Sequence, residues 1–332
     1  LRDSFPFFPI LWGETPLSPL PQLAEKLGVK SCWIKRDDLT GIAFGGNKLR
    51  KLEFLIGQAL AEGCDLIITG GSPQSNHARL TAAAANRAGL ETWLCFAGKH
   101  LGEVQGNLLL DQLLGAKLFL TGQYGSQGLL RAMEEKAEEA KQQGRKPFVI
   151  PVGGSTPTGD YGYLKAWREL ELQRESLEIP PFDEIYVAVG TGGTLAGLLV
   201  GHTLSRSSAR LIGVSVWESA EVMQAEVTRL SGELMQMLGE KDAVPLSSVH
   251  ILDEYIGRKY GVPSPEGNEA IRLLAETEGL FVDPIYTGKA LAGMIDQIRN
   301  KGNRDKHILF WHTGGTPALF THAKSFQRGG EM

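Results

Sequence analysis

The chain has 332 residues, 42% apolar and 22% charged, with a net charge of −4 from 34 basic and 38 acidic side chains. At about 150 residues per domain, this length predicts about two domains with a full-sized core, and the ordinary composition excludes general disorder. No basic excess marks a nucleic-acid surface, and no apolar run reaches the ~20 residues of a membrane span.

In chain order, Lys48 to Glu62 carries Leu49, Leu52, Leu55, Ile56, Ala59 and Leu60 at helical spacing, and Gly63 stops it. Asp65 to Thr69 is a short apolar run ending at Gly70-Gly71, the pattern of a buried strand and a turn. A helix follows over about Ser75 to Arg87, then a strand over Glu91 to Phe96. The charged, Ala-rich stretch 126–143 reads as a helix with a solvated face. Pro147 to Val152 is a strand before Gly153-Gly154-Ser155, and Glu184 to Val189 is one before Gly190-Thr191-Gly192-Gly193-Thr194. Arg210 to Val216 and His307 to Trp311 are further strands. Asn268 to Glu278 reads as a helix with Asn268 as N-cap and Gly279 as stop, and Thr287 to Asn300 as another. Strands alternating with helices predict an α/β chain on open, twisted parallel sheets, crossing between its two domains more than once.

The 41 glycines form no period and sit in short clusters between apolar runs, as expected where turns approach a ligand. Gly45-Gly46-Asn47-Lys48 places an amine beside such backbone. Gly41 and Gly46 have P-loop spacing, but Asn47 stands where Walker A needs its Lys, and Leu49 follows Lys48, which rules that motif out. Two readings of Lys48 remain. It is an exposed helix-start lysine, or a Schiff-base lysine whose pKa is depressed by burial and by the neighbouring Arg50 and Lys51. The segment Gly190 to Thr194 is either a tight turn or an anion site of free N–H groups, a helix dipole and two threonine hydroxyls. Leu195 stands where a dinucleotide fingerprint needs its third glycine, which favours one phosphate over a pyrophosphate and argues against a nicotinamide oxidoreductase.

Thr313-Gly314-Gly315-Thr316 follows a strand, where open α/β sheets bind ligands, and is otherwise another turn. Ser75-Asn76-His77 opens a helix, either to hold a carboxylate or with Ser75 as a plain N-cap. Lysine, monophosphate loop and carboxylate loop together suggest pyridoxal phosphate, which needs a Schiff-base lysine, a phosphate cradle and a partner for its pyridine nitrogen. A neutral hydroxyl at that nitrogen, such as that of Thr313, would leave it unprotonated. That weakens the electron sink and suits elimination better than transamination.

The chain resembles the fold-type II pyridoxal phosphate enzymes (tryptophan synthase β-like), and among them the D-cysteine desulfhydrase and 1-aminocyclopropane-1-carboxylate (ACC) deaminase group. The matching stretches run over nearly its whole length: Thr15-Pro16-Leu17, Ile34-Lys35-Arg36-Asp37-Asp38, Gly45 to Glu53, Gln74 to His77, Pro151 to Ser155, Asp283 to Ala290 and His312 to Ala318. The resemblance implies Lys48 as the Schiff-base lysine and Asn76 as partner of the cofactor's ring hydroxyl. It implies Thr191, Gly192, Gly193 and Thr194 as the phosphate loop. Ser75 matches the active-site serine, with Asn76 and His77 helping to hold the substrate carboxylate. Tyr260 and Tyr286 match two active-site tyrosines, of which Tyr286 is preferred for protonating the leaving group or assisting proton transfer at Cα. Without the resemblance, Tyr286 reads as a core aromatic and Tyr260 as a loop aromatic.

Three positions separate the subfamilies. ACC deaminases are expected to carry Glu after the second tyrosine, near the pyridine nitrogen, where this chain has Thr287. They tend to have Leu where Thr313 stands, and Gln at the position of His77. All three favour a desulfhydrase, which eliminates hydrogen sulfide from D-cysteine and leaves pyruvate and ammonia. Two departures bear on the substrate: Ser72-Pro73 precede Gln74, and Arg258-Lys259 replace the usual Pro-Gly before the first tyrosine. That basic pair either lies on the surface or admits a sulfonate. The alternatives are an ACC deaminase, an L-cysteate sulfo-lyase and, from another class, a non-catalytic pyridoxal phosphate- or ligand-binding protein.

The expected architecture joins residues 1–50 and 161–332 in a large cofactor domain, with 51–160 as a small domain and the cofactor between them. Three cysteines, Cys32, Cys64 and Cys95, cannot all pair and form no CxxC, which argues for a reducing, cytoplasmic compartment. Leu1 to Pro6 shows no signal-peptide pattern, and the missing initiator Met suggests a trimmed start. The expected partners are a small amino-acid substrate and, by resemblance, a second copy in a homodimer; no nucleic acid, membrane or metal is expected.

Overall fold

The alternation of apolar runs and helical stretches resolves into two sheets in a computed structural model, which describes residues 5–242, 244–301 and 305–327. Leu1 to Ser4, on which the expectation of a trimmed start falls, lie outside the described residues. The first half of the chain runs β1 (Leu17–Pro19), α1 (Pro21–Leu27), β2 (Ser31–Arg36), α2 (Lys48–Ala61), β3 (Leu66–Gly71), α3 (Asn76–Arg87), β4 (Glu91–Phe96), α4 (Gly106–Leu113), β5 (Lys117–Leu120), α5 (Gly125–Gln142) and β6 (Pro147–Val149). The second half runs α6 (Pro157–Ser176), β7 (Glu184–Val189), α7 (Gly193–Leu204), β8 (Arg210–Ser215), α8 (Ala220–Leu238), β9 (His250–Leu252), α9 (Pro265–Glu278), α10 (Thr287–Lys301), β10 (His307–His312) and α11 (Pro317–Thr321). One sheet is ordered β1-β2-β10-β7-β8-β9 and the other β5-β4-β3-β6. Every pair is parallel except β1 with β2. The chain is therefore α/β with two largely parallel sheets, as expected.

Side-chain alternation along each strand feeds a core on both faces of a sheet. On β7, Ile185, Val187 and Val189 pack with α6, α7 and α8, while Tyr186 and Ala188 pack with α9 and α10. On β3, Ile67 meets Leu49, Leu52 and Ile56 of α2, while Leu66 and Ile68 meet Met133 and Ala137 of α5.

The back of α2 is held by charge rather than by apolar contact. Arg50 donates to Asp37 and Glu169, and Asp37 also accepts from Thr15, Tyr163 and Trp311. Asp37 is fully buried, which alone would raise its carboxyl. The Arg50 charge and hydrogen bonds, with Lys35, instead bring it down to about 2. This cluster ties the helix that begins at Lys48 to β2, β10 and α6.

Two element boundaries differ from the sequence reading by three residues or more. The N-cap of α9 is Ser264, not Asn268: Ser264 Oγ accepts from Gly267 N and Pro265 takes the first helical position, where its missing N–H costs nothing. The strand expected over Pro147 to Val152 ends at Val149, because Pro151 has no N–H to pair and Gly153 adopts φ 76°.

Candidate active site

Both sheets turn the carboxyl ends of their strands toward one cavity of about 410 Å³. Gly71 to Pro73 and Ser75 after β3, Ala97 after β4, Gly190 to Gly192 after β7, Trp217 after β8 and Thr313-Gly314 after β10 all line it. That is where open α/β sheets place ligands.

Lys48 opens α2 and lines the cavity, where its Nζ donates to Asn47 Oδ1 at 3.3 Å. Asn47 Nδ2 donates in turn to Thr194 Oγ1 at 2.9 Å, joining the lysine loop to the threonine loop. Burial and the ammonium of Lys51 push the Lys48 amine down to about 7, against the opposing charge of Asp160. Of the two cations expected to act on Lys48, only Lys51 does so. Residues three apart share a helix face and residues two apart do not, so Arg50 turns away to Asp37. Lys51 is fully buried, 2.9 Å from Asp160, and also donates to Ser155 Oγ, which bonds Thr191 Oγ1 at 2.7 Å.

Gly192 caps α7 at φ 85°, and Thr191, Gly192 and Thr194 line the cavity. Gly193 does not. Its Cα rests against the Lys51–Asp160 pair, and a Cβ there would overlap Asp160 Oδ1 and Lys51 Nζ. The glycine lets the first turn of α7 bring its free N–H groups to the cavity, an anion site by geometry and dipole.

Ser75 takes the N-cap position of α3, accepting from Ala78 N, and also faces the cavity. Ser72 to Ser75 form a turn closed by Ser75 N to Ser72 O, with Pro73 in the second position where its fixed φ suits. Asn76 lines the cavity while its Oδ1 accepts from Asn107 Nδ2 and Arg79 Nη1. His77 is buried. The Thr69 hydroxyl is donated to Ile150 O, so it accepts from His77, which puts the imidazole proton on Nε2. Burial and the charges of Lys48 and Lys51 hold its pKa well below the usual range, so the ring is neutral and Nδ1 is left without a protein partner.

Tyr260 and Tyr286 share a 2.5 Å hydrogen bond at the cavity wall, with Trp217 against Tyr260. Burial raises the pKa of both phenols, that of Tyr286 the more, so the pair holds its protons at neutral pH. Thr313 lines the cavity, and its carbonyl accepts from Asn47 N. Thr287 does not line it. Its hydroxyl is fully buried and donates to Asp283 Oδ2 at 2.6 Å, at the start of α10. Arg258 and Lys259 are exposed and stand outside the cavity lining. The sequence reading missed Trp217 and Tyr124. The end of β8 was a usable signal for the first; Tyr124 lies beside a glycine at the start of α5 and carried none.

These residues fit pyridoxal phosphate. An amine titrating near neutrality faces the cavity, a helix N-terminus with two threonines offers a monophosphate cradle, and a fixed amide stands ready to donate. The fold and the site define a fold-type II pyridoxal phosphate enzyme. The family model described as "Pyridoxal-phosphate dependent enzyme" matches residues 10–314, and the chain belongs to that family. It is 42% identical over 320 residues to a Pyrococcus horikoshii protein described as "Putative 1-aminocyclopropane-1-carboxylate deaminase", covering 96% of this chain and 95% of that one. It is 40% identical over 325 residues to the D-cysteine desulfhydrase of Yersinia pestis, covering 96% of each chain. A crystal structure described as an ACC deaminase homologue superposes with a TM-score of 0.90 at 41% identity, covering 97% of this chain and 96% of that one. Escherichia coli diaminopropionate ammonia lyase, at 18% identity and a TM-score of 0.68, shares the fold. Within the family the chain falls with the ACC deaminase and D-cysteine desulfhydrase group, and it is a pyridoxal phosphate-dependent lyase acting on a small substrate.

Proposed function

We propose that this lyase eliminates hydrogen sulfide from D-cysteine. The observation that carries the reading is the absence of any carboxylate among the described residues that line the cavity. The position after the second tyrosine is Thr287, turned to Asp283, and the polar side chain from the final glycine motif is the hydroxyl of Thr313. A pyridine nitrogen beside a hydroxyl stays unprotonated, which favours loss of a β-substituent over chemistry that needs a stronger electron sink. The exposed positions of Arg258 and Lys259 weigh against a sulfonate substrate, since Lys48 is the one Lys or Arg among the described lining residues.

Pyridoxal phosphate, when bound, supplies a ring that stabilises negative charge at the amino acid's Cα. Lys48 would hold the aldehyde carbon, the loop from Thr191 to Thr194 the phosphate, Asn76 the ring oxygen and Thr313 the nitrogen. Ser75 and the free N–H groups at the start of α3 orient the substrate carboxylate, with His77 behind them. The Lys48 amine, pushed down to about 7 by burial and the Lys51 charge, takes the Cα proton. The tyrosine pair delivers a proton to the leaving sulfur, Tyr286 through its bond to Tyr260. D-Cysteine and water thus give hydrogen sulfide, pyruvate and ammonia.

The same resemblance supports a homodimer, and the three unpaired cysteines support a cytoplasmic setting. The two sheets support a division close to residues 1–50 with 161–332 and residues 51–160, since β1, β2 and β7 to β10 form one sheet and β3 to β6 the other, while the bounds themselves fall inside α2 and α6. The test is product release from D-cysteine, L-cysteine, D-serine, L-cysteate and ACC in parallel. Preferential sulfide and pyruvate from D-cysteine is expected. Ammonia and 2-oxobutyrate from ACC, with D-cysteine inert, would replace this reading with the deaminase.

A further inference from the structure

Arg79 lies in the first turn of α3 with its guanidinium fully buried. Its Nη2 donates to Gly45 O at 2.9 Å, in the loop leading to Lys48, and its Nη1 donates to Asn107 Oδ1 at 2.7 Å and to Asn76 Oδ1 at 3.2 Å. Asn107, near the start of α4, is equally buried, and its Nδ2 donates to Gln74 O at 2.8 Å and to Asn76 Oδ1 at 2.9 Å. A terminal amide has two edges of the same shape, so its orientation is fixed only by its partners. Here the chain of partners is closed at both ends. The guanidinium can only donate, and the Gln74 carbonyl can only accept. Asn107 must turn its oxygen to Arg79 and its NH2 to Gln74 and Asn76. Asn76 must then present its oxygen to this pair. Its NH2 edge is left, as a donor, for the cavity that Asn76 lines.

We propose that Arg79 and Asn107 are positioning residues that decide which edge of the Asn76 amide faces the cofactor, and that Arg79 holds the lysine loop to the same point through Gly45. The proposal rests on the reading of Asn76 as partner of the cofactor's ring oxygen. An oxygen carrying negative charge is recognised by a donor and repelled by an amide carbonyl. A buried guanidinium bonded mainly to neutral oxygens is a costly way to fill space, so its orienting effect is the physical reason for its presence.

The test is Asn107→Asp. The carboxylate keeps the bond to Arg79 but has no N–H for Gln74 O or for Asn76. The new carboxylate draws the Asn76 NH2 against the single 3.2 Å bond left from Arg79 Nη1, so Asn76 turns its oxygen to the cavity. The cofactor-resolved enzyme should bind pyridoxal 5′-phosphate roughly ten- to a hundredfold more weakly, as for one lost charge-assisted hydrogen bond. The visible absorbance maximum of the reconstituted enzyme should shift. In an Asn76→Ala background the substitution should cost nothing further. Asn76→Ala alone checks the underlying reading: unchanged cofactor affinity would remove both that reading and the proposal. A loss with Asn76→Ala but none with Asn107→Asp, or losses that multiply in the double variant, would overturn the positioning role and leave the reading of Asn76 standing. Should Asn107→Asp not fold, Arg79→Met frees both amides to turn and must give the same non-multiplying loss.

Discussion

The Lys48 amine, pushed down to about 7, faces the cavity, and the cause of that shift can be tested by two neutralising substitutions that should move it in opposite directions. At pH 7 an amine with a pKa of about 7 is about half neutral, against about one in three thousand for an ordinary lysine near 10.5. Burial acts first and Lys51 second, with Asp160 opposing. Side chains three apart on a helix sit about 6 Å apart. At an effective dielectric of about 20, two like charges at about that distance repel by roughly 3 kcal/mol, or about two pKa units. Lys51→Met removes the repulsion and leaves Asp160 pulling alone, so the Lys48 midpoint should climb by about two units. Asp160→Asn removes the opposing pull and should move it down. The assay is the pH dependence of Lys48 modification by trinitrobenzenesulfonate in cofactor-resolved enzyme, with the site read by mass spectrometry. An unmoved midpoint in Lys51→Met would refute the electrostatic argument and leave burial as the whole cause. Linkage gives a second check. The folded-state pKa lies below the unfolded one, so the unfolded chain binds more protons between about pH 7 and 10.5, and Lys48 makes the cofactor-free protein gain stability as pH rises through that window.

Asp37→Asn should cost about 3–5 kcal/mol in urea unfolding at pH 7, since it leaves the buried Arg50 short of its carboxylate; in the parent, the stability Asp37 contributes is present above about pH 4 and lost as pH falls through about 2. A Tm unchanged by that substitution would show that Glu169 alone neutralises Arg50. Ser75→Ala should cost about 1 kcal/mol of stability from the lost cap and raise KM for the substrate, because one oxygen serves both; a stability loss with KM unaltered would confine Ser75 to capping. Thr287→Glu should place a second carboxylate against Asp283 and destabilise the fold by about 3 kcal/mol at pH 8, with the loss easing as pH falls and one carboxylate takes a proton. Equal thermal stability of Thr287→Glu and the parent across pH 5–8 would mean that the new side chain escapes the buried site.

What was legible in the sequence followed from local rules. The helix from Lys48 shows its apolar face at 3.6-residue spacing, and β7 and β10 show as short apolar runs before glycines, because parallel strands buried on both faces need no alternation. Thr313 was found because strand ends in such sheets carry the ligand, and the cavity residues after β3 and β7 because they open helices behind glycines, where free N–H groups can hold an anion. What stayed hidden depends on contacts far apart in sequence. The Arg50 cluster joins Thr15, Asp37, Glu169 and Trp311, which no spacing connects. Thr287 was placed at the cofactor by its position after a tyrosine, but Asp283, four residues earlier, takes its hydroxyl. Such a local bond is invisible to a motif, which records order and not direction.

The same distinction bears on how the site is built. The groups that would meet the cofactor are short-range features: a helix-start lysine, a helix-start amide, a glycine turn. Each is held in place by a buried polar group from elsewhere in the chain. Lys51 and Asp160 sit behind Gly193, Arg79 and Asn107 behind Asn76, and Asp37 behind α2 through Arg50. Buried charges of this kind add little stability against well-packed apolar replacements. Their effect is on direction and protonation, which is what an amine near neutrality and a one-way amide require. Substitutions in this layer should therefore shift titration and cofactor affinity at positions that touch no ligand.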